Sequence, residues 1–155
     1  MKIVEATENH ILEIVELWKE LADHHLKIDK IFTRRENGHI NFKIFISELI
    51  KSKDARVLVA LLDSKVIGYI VAKIDRYPPV YNIERYGVVY DMFVIPKYRR
   101  MHIGYKLWQE ILKWFKLRDL IRVELNIVPK NLEASSFWRK LGFQDYMHKL
   151  YLEII

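Results

Sequence analysis

The chain has 155 residues, 51% of them hydrophobic and 13% aromatic, which fits one domain spanning residues 1–155 and excludes a disordered protein. It contains no cysteine, so disulfides, thiolate metal sites and a cysteine nucleophile are excluded, and a reducing, cytoplasmic location is expected. The net charge of +6 permits an anionic partner, but no apolar run reaches the roughly 18–20 residues of a membrane span, so no membrane partner is expected.

The first third of the chain predicts a strand followed by two helices. Residues 2–6 alternate like a short strand, and Thr7 can cap the helix that follows. That helix carries one apolar face, formed by Ile11, Ile14, Val15, Trp18 and Leu21. Residues 24–37 are polar and predict a loop or a broken helix, and residues 40–50 predict the second helix.

The middle of the chain predicts three strands. Residues 56–62 and 66–74 are apolar and flank the turn-forming Asp63-Ser64-Lys65, a pattern typical of a hairpin. Gly68, inside the second of these strands, indicates a bulge or a closely packed neighbour. Residues 87–95 predict a third strand, which Pro96 ends.

The last third predicts an alternation of helices and strands. We expect helices at residues 103–117 and 131–141, and strands at residues 121–128 and 146–154. Gly142 can terminate the second helix. This order predicts an α/β domain of the α+β type, built around a mixed sheet.

Between residues 87–95 and 103–117, a strand leads through a basic loop into a helix. The first turn of a helix has backbone N–H groups without partners and a partial positive charge, which suit a phosphate. Gly104 lets the backbone approach such an anion without an intervening side chain. A basic loop that simply joins a strand to a helix has the same pattern, so the loop alone does not decide the function.

Two segments resemble the GCN5-related N-acetyltransferases. Val94-Ile95-Pro96, followed by Arg99, His102 and Gly104, is similar to that family's motif A. The pattern from Asn131 to Phe143 resembles its motif B through Asn131, Ala134, Phe137, Trp138, Leu141, Gly142 and Phe143. The resemblance implies a mixed, mostly antiparallel central sheet with helices on both faces.

The resemblance also implies a cosubstrate and a reaction. Acetyl-CoA would donate its acetyl group to an amine of a small molecule or peptide, which attacks directly in a ternary complex. The pyrophosphate would bind the backbone of the loop formed by Arg99, Arg100, Met101, His102, Ile103, Gly104 and Tyr105. Phe93 and Val94 would offer backbone hydrogen bonds to the pantetheine, and Asn131 and Phe137 would line its other side.

Two positions depart from the family pattern. His102 stands at a usual glycine, and Trp138 stands where many members carry a tyrosine that protonates the leaving thiolate. An indole N–H donates hydrogen bonds but is no practical acid. These departures keep open a degenerate protein that binds CoA or acyl-CoA as a sensor or interaction module. A nucleic-acid partner is not expected, because recognition helices and aromatic-basic strand motifs are missing. The oligomeric state is left open, with a homodimer as one option.

The reaction needs a group that accepts a proton, because an alkyl amine with a pKa near 10.4 is neutral in only about one molecule in a thousand at pH 7. Asp91 and Glu124 are carboxylates inside otherwise apolar strands, and we expect one of them to serve as base or amine anchor. The alternative for each is a water-facing position at a strand edge. Strand alternation predicts that Tyr90 faces away from Asp91. His24, His25 and Asp29 lack a second ligand cluster, so no metal site is expected.

Overall fold

The centre of the protein is a five-stranded sheet whose strands lie side by side in chain order, as a computed structural model of residues 1–155 shows. Its strands are β1 (Lys2–Glu5), β2 (Ala55–Leu62), β3 (Lys65–Arg76), β4 (Arg85–Val94) and β5 (Val123–Leu125). Neighbouring strands from β1 to β4 are antiparallel, whereas β4 and β5 are parallel. The predicted mixed, mostly antiparallel sheet is therefore confirmed.

Helices cover both faces of this sheet, as predicted. The helices α1 (Ile11–Ile28) and α2 (Gly38–Lys51) pack on one face, and α3 (Ile103–Leu117) and α4 (Leu132–Lys140) pack on the other. Each face has its own hydrophobic core, of 16 and 15 buried residues respectively. Because side chains alternate along a strand, Tyr69 and Val71 of β3 lie in the first core, and Ile70 and Ala72 lie in the second.

The predicted hairpin between β2 and β3 is confirmed, and so is the close neighbour of Gly68. Asp63 and Ser64 both have positive φ, 49° and 65°, as the two-residue turns that match strand twist require. A Cβ atom on Gly68 would lie 2.9 Å from the carbonyl oxygen of Phe93. Glycine at this position therefore allows β3 and β4 to approach each other.

A bulge in β4 overturns the expectation that Tyr90 and Asp91 face opposite sides of the sheet. Val71 pairs with Asp91 and Ala72 pairs with Val89, so Tyr90 is an extra residue in the ladder. The Tyr90 ring lies 6.0 Å from that of Phe45 on α2, while Asp91 lines a cavity beside α1. Both side chains thus lie on the α1/α2 face, because the bulge breaks the alternation.

The parallel strands β4 and β5 pair over a short distance only. Gly87–Val89 pair with Val123–Leu125, and β4 continues to Val94 without a partner on that side. The predicted strand at residues 121–128 was therefore too long. Both α3 and α4 follow the carboxyl ends of these strands, so their N-termini lie at the open end of the gap.

Two predicted segments differ in the structure. α1 continues to Ile28, and a single 3₁₀ turn (Lys30–Phe32) follows, so the predicted loop at residues 24–37 begins later than expected. The predicted strand at residues 146–154 is wrong for the single chain: these residues are exposed and make no backbone hydrogen bond. A strand needs a neighbouring strand, and residues 146–154 pair with none in this structure.

Candidate active site

The loop between β4 and α3 exposes backbone N–H groups. A 3₁₀ turn (Pro96–Tyr98) follows β4, and the first intrahelical bond of α3 runs from the Lys106 N–H to the His102 carbonyl. The N–H groups of Ile103, Gly104 and Tyr105 therefore have no acceptor within the helix. Arg100 and His102 both have positive φ, 63° and 59°, which turns the chain into the helix. This arrangement fits an anionic group at the helix N-terminus.

The side chains of this loop differ in what they can contact. Arg100, Met101, His102 and Tyr105 are exposed, whereas Ile103 is buried in the core beneath α3. Ile103 can therefore offer a ligand its backbone only. His102 makes no side-chain capping bond, so its ring does not close the N-terminus of α3.

The side chain of Arg99 connects β4 to α4. Its Nε donates to the Val94 carbonyl at 2.8 Å, and its Nη1 donates to Glu133 Oε2 at 3.0 Å. The guanidinium also lies 5.3 Å from the centre of the Phe93 ring. Arg99 thus binds the carbonyl of Val94, one of the two residues whose backbone was predicted to hydrogen-bond pantetheine. Glu133 was not among the predicted site residues, although an acidic residue in the first turn of a helix is a recognisable signal.

Residues of α4 line the other side of the gap. A Cβ atom on Gly104 would lie 3.4 Å from both Met92 Cε and Phe137 Cζ, so this glycine faces the Phe137 ring. Asn131 is the N-cap of α4, and its Oδ1 accepts from the Ala134 N–H at 3.2 Å. The structure thus brings Phe137 close to the loop and gives Asn131 a structural role as the N-cap of α4, while the predicted role of Asn131 at the pantetheine stays a prediction.

Trp138 is a core residue. It is 6% exposed, and its ring lies 5.6 Å from Trp108, 5.2 Å from Phe143 and 5.0 Å from Phe137 in edge-to-face arrangements. Such pairs stabilise a core beyond the area that they bury. The position therefore serves packing, and no acid is present there.

On the opposite face of the sheet, Asp91 lines a cavity of about 330 Å³ between α1, the segment after it and the start of α2. The Asp91 carboxylate makes no hydrogen bond and no ion pair within the chain. Burial raises the pKa of Asp91 to about 6, because an apolar environment disfavours the charged form. A carboxylate of this kind is suited to accept a proton near neutral pH.

Aromatic and basic side chains form the walls of this cavity. Trp18 stacks on Phe42 with ring centres 4.6 Å apart, and the Arg34 guanidinium lies 5.9 Å from the Trp18 ring. Arg34 also pairs with Asp23 at 3.1 Å, whereas Arg35 lines the cavity without an ion pair. The sequence pattern placed Trp18 on a buried helix face and gave no sign that it borders a cavity.

Glu124 lies on the same face of the sheet but is engaged by its neighbours. Tyr77 Oη donates a hydrogen bond to Glu124 Oε2, and Arg122 Nε lies 3.3 Å from the same oxygen. Tyr77 also stacks on Tyr86, with ring centres 4.1 Å apart, so Tyr77 is held beside β5. Burial raises the pKa of Glu124 as well. Of the two predicted carboxylates, only Asp91 is without a partner.

The remaining polar candidates have structural explanations. Asp29 Oδ1 accepts from the Ile31 N–H at 3.0 Å, and the His24 and His25 rings are 6.2 Å apart. Burial lowers the pKa of His25, and its ring lies 5.3 Å from Phe32. The protein has no group of three or more His, Cys, Asp or Glu side chains positioned to hold a metal ion. None of its helices has the length and apolar character needed to traverse a bilayer.

Comparison with known proteins places these features in a family. The family model described as "Acetyltransferase (GNAT) family" matches residues 13–143. A protein of Sulfurisphaera tokodaii named N-alpha-acetyltransferase is 30% identical over 106 residues, which are 65% of this chain and 64% of that protein. The chain thus matches less than two thirds of that relative's length.

Solved structures share the whole fold. A mutant of the BH1408 protein from Bacillus halodurans has a TM-score of 0.91 at 22% identity, with complete coverage of both chains. The aminoglycoside N-acetyltransferase AAC(6')-Iy in complex with CoA has a TM-score of 0.73 at 17% identity, covering 99% of both chains. The fold, the loop before α3 and the family match over residues 13–143 agree, and the chain belongs to the GNAT acetyltransferase family.

Proposed function

We propose that this protein is an acetyl-CoA-dependent N-acetyltransferase, whose acceptor is an amine of a small molecule or peptide. The observation that carries the proposal is the position of Asp91, an unpaired carboxylate on the floor of a cavity and three residues before the end of β4. The backbone of β4 beyond Val89 has no strand partner on its β5 side. An acyl carrier held along that edge and an amine held in the cavity would meet at the bulge.

Acetyl-CoA supplies the activated acetyl group, and the chain offers three features to hold it. The backbone N–H groups of Ile103, Gly104 and Tyr105 suit the pyrophosphate, with Arg100 exposed beside them. Phe137 lies against Gly104 on the α4 side of the gap. These residues are among the predicted cofactor residues, and their role is part of this proposal. The family match and the CoA complex of AAC(6')-Iy support it.

Asp91 would bind and deprotonate the acceptor. Supplying a neutral amine from an ammonium of pKa about 10.4 costs roughly 4–5 kcal/mol at pH 7. A nearby carboxylate attracts the ammonium and then takes its proton, directly or through water. The amine nitrogen bonds to the acetyl carbon, the carbon–sulfur bond breaks, and the thiolate leaves with its electron pair. The nitrogen then loses its second proton to water, which passes it to the thiolate.

Departure of the thiolate needs no acid from Trp138. A thiol pKa near 8.5 makes its thiolate a tolerable leaving group, and water at the open gap can protonate it. Glu124 is the second candidate base, but its bonds to Tyr77 and Arg122 reduce its freedom to move a proton. We therefore assign the proton to Asp91 and a supporting role to Glu124.

The alternative is a protein that binds CoA or acyl-CoA without catalysis. Incubation with acetyl-CoA and a panel of amines, followed by thiol release, separates the two. The panel should include peptides with free N-termini and amino sugars, because the Sulfurisphaera relative and AAC(6')-Iy carry names of those reaction classes. Turnover of any amine that Asp91→Asn lowers at least tenfold at pH 7, with acetyl-CoA binding retained, supports the proposal. Binding without turnover of any amine supports the sensor.

A further inference from the structure

The cavity that Asp91 lines carries opposite charges at its two ends. Asp91 belongs to β4 and forms the floor, whereas Arg34 and Arg35 follow the 3₁₀ turn after α1 and border the mouth. Arg35 is exposed, and the side chain of Arg34 is 28% exposed. An occupant therefore meets a carboxylate at the closed end and guanidinium groups at the open end.

The two arginines differ in what their guanidinium groups already bind. Arg34 donates to Asp23 Oδ1 from Nε at 3.3 Å and from Nη2 at 3.1 Å, and its guanidinium lies 5.9 Å from the centre of the Trp18 ring. Arg35 lines the cavity and makes no side-chain hydrogen bond or ion pair within the chain. The N–H donors of Arg35 are therefore free for a ligand, and their planar arrangement fits the oxygens of a carboxylate or a phosphate.

The wall between the two ends of the cavity is mostly apolar. Trp18, Leu21 and Ala22 of α1 line it, and so does Phe32. His25 is the remaining titratable residue of the lining, and burial lowers its pKa, so its ring adds no positive charge at neutral pH. An occupant that fills the cavity therefore needs an apolar body between its two polar ends.

This distribution of charge disfavours an acceptor that carries several positive charges. The charge of Arg34 is balanced by Asp23, so Arg35 leaves an uncompensated positive charge at the mouth. A second ammonium group at that end would be repelled, whereas an anionic group would be attracted. The volume of about 330 Å³ lies at the lower end of the range for small-molecule sites. A small acceptor with one ammonium group and one anionic group matches the cavity.

We propose that the acceptor is a small amine that carries a carboxylate or phosphate across an apolar body, and that Arg35 binds this anionic group. The inference rests on the proposed N-acetyltransferase function and on the role of Asp91 within it. Asp91 holds the ammonium group on the floor, next to the bulge in β4, while Arg35 holds the opposite end of the acceptor at the mouth. Arg35 thus determines which amines are accepted and takes no part in the proton transfer.

Steady-state kinetics with acceptors that share a six-carbon chain test the inference. These acceptors are ε-aminocaproate, ω-aminohexyl phosphate, hexylamine and hexamethylenediamine. The parent should use at least one of the two anionic acceptors with a kcat/KM about tenfold or more above that of hexylamine, and it should use the diamine least well. The better of the two anionic acceptors distinguishes a carboxylate from a phosphate.

Variants of Arg35 assign this preference to one side chain. Arg35→Gln should remove the preference through KM, with kcat and the kcat/KM for hexylamine unchanged, and Arg35→Lys should restore part of it. Lys51→Gln is the matched control, because it removes one positive charge from a 70% exposed side chain outside the cavity, and it should keep the full preference.

Calorimetry in the presence of CoA separates this inference from the proposed function. The better anionic acceptor should bind the parent about tenfold more tightly than it binds Arg35→Gln, independently of turnover. Binding that depends on Arg35, without turnover of any amine, would overturn the N-acetyltransferase function and leave the anion site in place. Equal use of hexylamine and the anionic acceptors, or a preference that survives Arg35→Gln, would overturn the inference and leave the proposed function in place. Absence of both binding and turnover with the two anionic acceptors would overturn the inference as well.

Discussion

Tyr69 and Asp91 lie on the same face of the sheet, at diagonal positions of the neighbouring strands β3 and β4. Tyr69 pairs with Phe93, and Asp91 pairs with Val71. The Tyr69 hydroxyl is fully buried and has no hydrogen-bond partner. Burial, and then the charge of Asp91, raise the pKa of Tyr69 well above its usual value, so the phenol is neutral. The unpaired Tyr69 hydroxyl and the unpaired Asp91 carboxylate thus lie on one face of the sheet, and Asp91 also lines the cavity.

Replacing Tyr69 by phenylalanine is expected to stabilise the fold. A buried hydroxyl without a partner costs about 1–3 kcal/mol, and Tyr69→Phe removes that cost while keeping the ring. Urea unfolding should show a free energy of unfolding higher by about 1 kcal/mol. The matched control is Tyr90→Phe, at a 44% exposed site, which should change the free energy by less than about 0.5 kcal/mol. A clear loss of stability in Tyr69→Phe would show that the hydroxyl finds a partner in solution.

Asp91 should make the folded protein less stable as the pH rises. Its pKa of about 6 in the folded state exceeds the ordinary value of 3.8, so the folded state binds the proton more tightly between these values. The free energy of unfolding therefore falls as the pH increases from below 4 to above 6, by at most about 3 kcal/mol at 1.36 kcal/mol per pKa unit. Asp91→Asn should remove this fall and be more stable than the parent at pH 8. Unfolding curves of the parent and of Asp91→Asn at pH 4 and pH 8 measure this effect. If the two proteins differ in free energy of unfolding by the same amount at both pH values, the expectation is contradicted.

The titration of Asp91 should also appear in the pH dependence of kcat/KM. If the Asp91 carboxylate accepts the proton, kcat/KM should rise with pH through a limb near 6. Asp91→Asn should lose that limb, fall at least tenfold at pH 7 and recover partly at pH 9, where more amine is neutral. Glu124→Gln is the matched comparison and should retain the limb. If Glu124→Gln loses the rise of kcat/KM near pH 6 and Asp91→Asn keeps it, Glu124 is the proton acceptor and Asp91 has the supporting role.

Gly104 provides a graded test of the cofactor site. Acetyl-CoA at about a hundredfold excess over its dissociation constant should stabilise the parent by about 2.7 kcal/mol, seen as a higher Tm. Gly104→Ala puts a methyl group 3.4 Å from Met92 and Phe137, an ordinary contact, and should keep most of this shift. Gly104→Val adds branches toward the Phe137 ring and the open gap and should abolish it. A normal shift in Gly104→Val, with both variants folded, would place the phosphate site elsewhere.

Trp138 should affect stability more than turnover. Trp138→Phe leaves a space among Trp108, Phe137 and Phe143, for which we expect a loss of about 1–3 kcal/mol in the free energy of unfolding. The rate constant kcat should fall by less than about tenfold, equivalent to 1.4 kcal/mol, because the indole is no acid. Thermal unfolding and steady-state kinetics measure the two effects. A thousandfold loss of kcat in a stable variant would give Trp138 a direct catalytic role.

The sequence alone determined the family and most of the elements of the fold. Local signals suffice for these: the turn at Asp63-Ser64, the apolar periodicity of α1 and α3, and the order of residues from Val94 to Gly104 each depend on neighbours along the chain. The resemblance to motif B also singled out Phe137, whose ring lies beside Gly104 in the structure.

The tertiary structure decided the features that depend on distant residues. A bulge opposite Val71 and Ala72 turns Tyr90 and Asp91 to one face, and no local pattern reveals it, because it arises from pairing with β3. Glu124 differs from the unpaired Asp91 because its carboxylate accepts hydrogen bonds from Tyr77 and Arg122, and the sequence does not reveal these contacts. The apolar alternation of residues 146–154 predicts a strand, but alternation specifies only a face to be buried. A strand also needs a paired edge, and these residues pair with none in the structure.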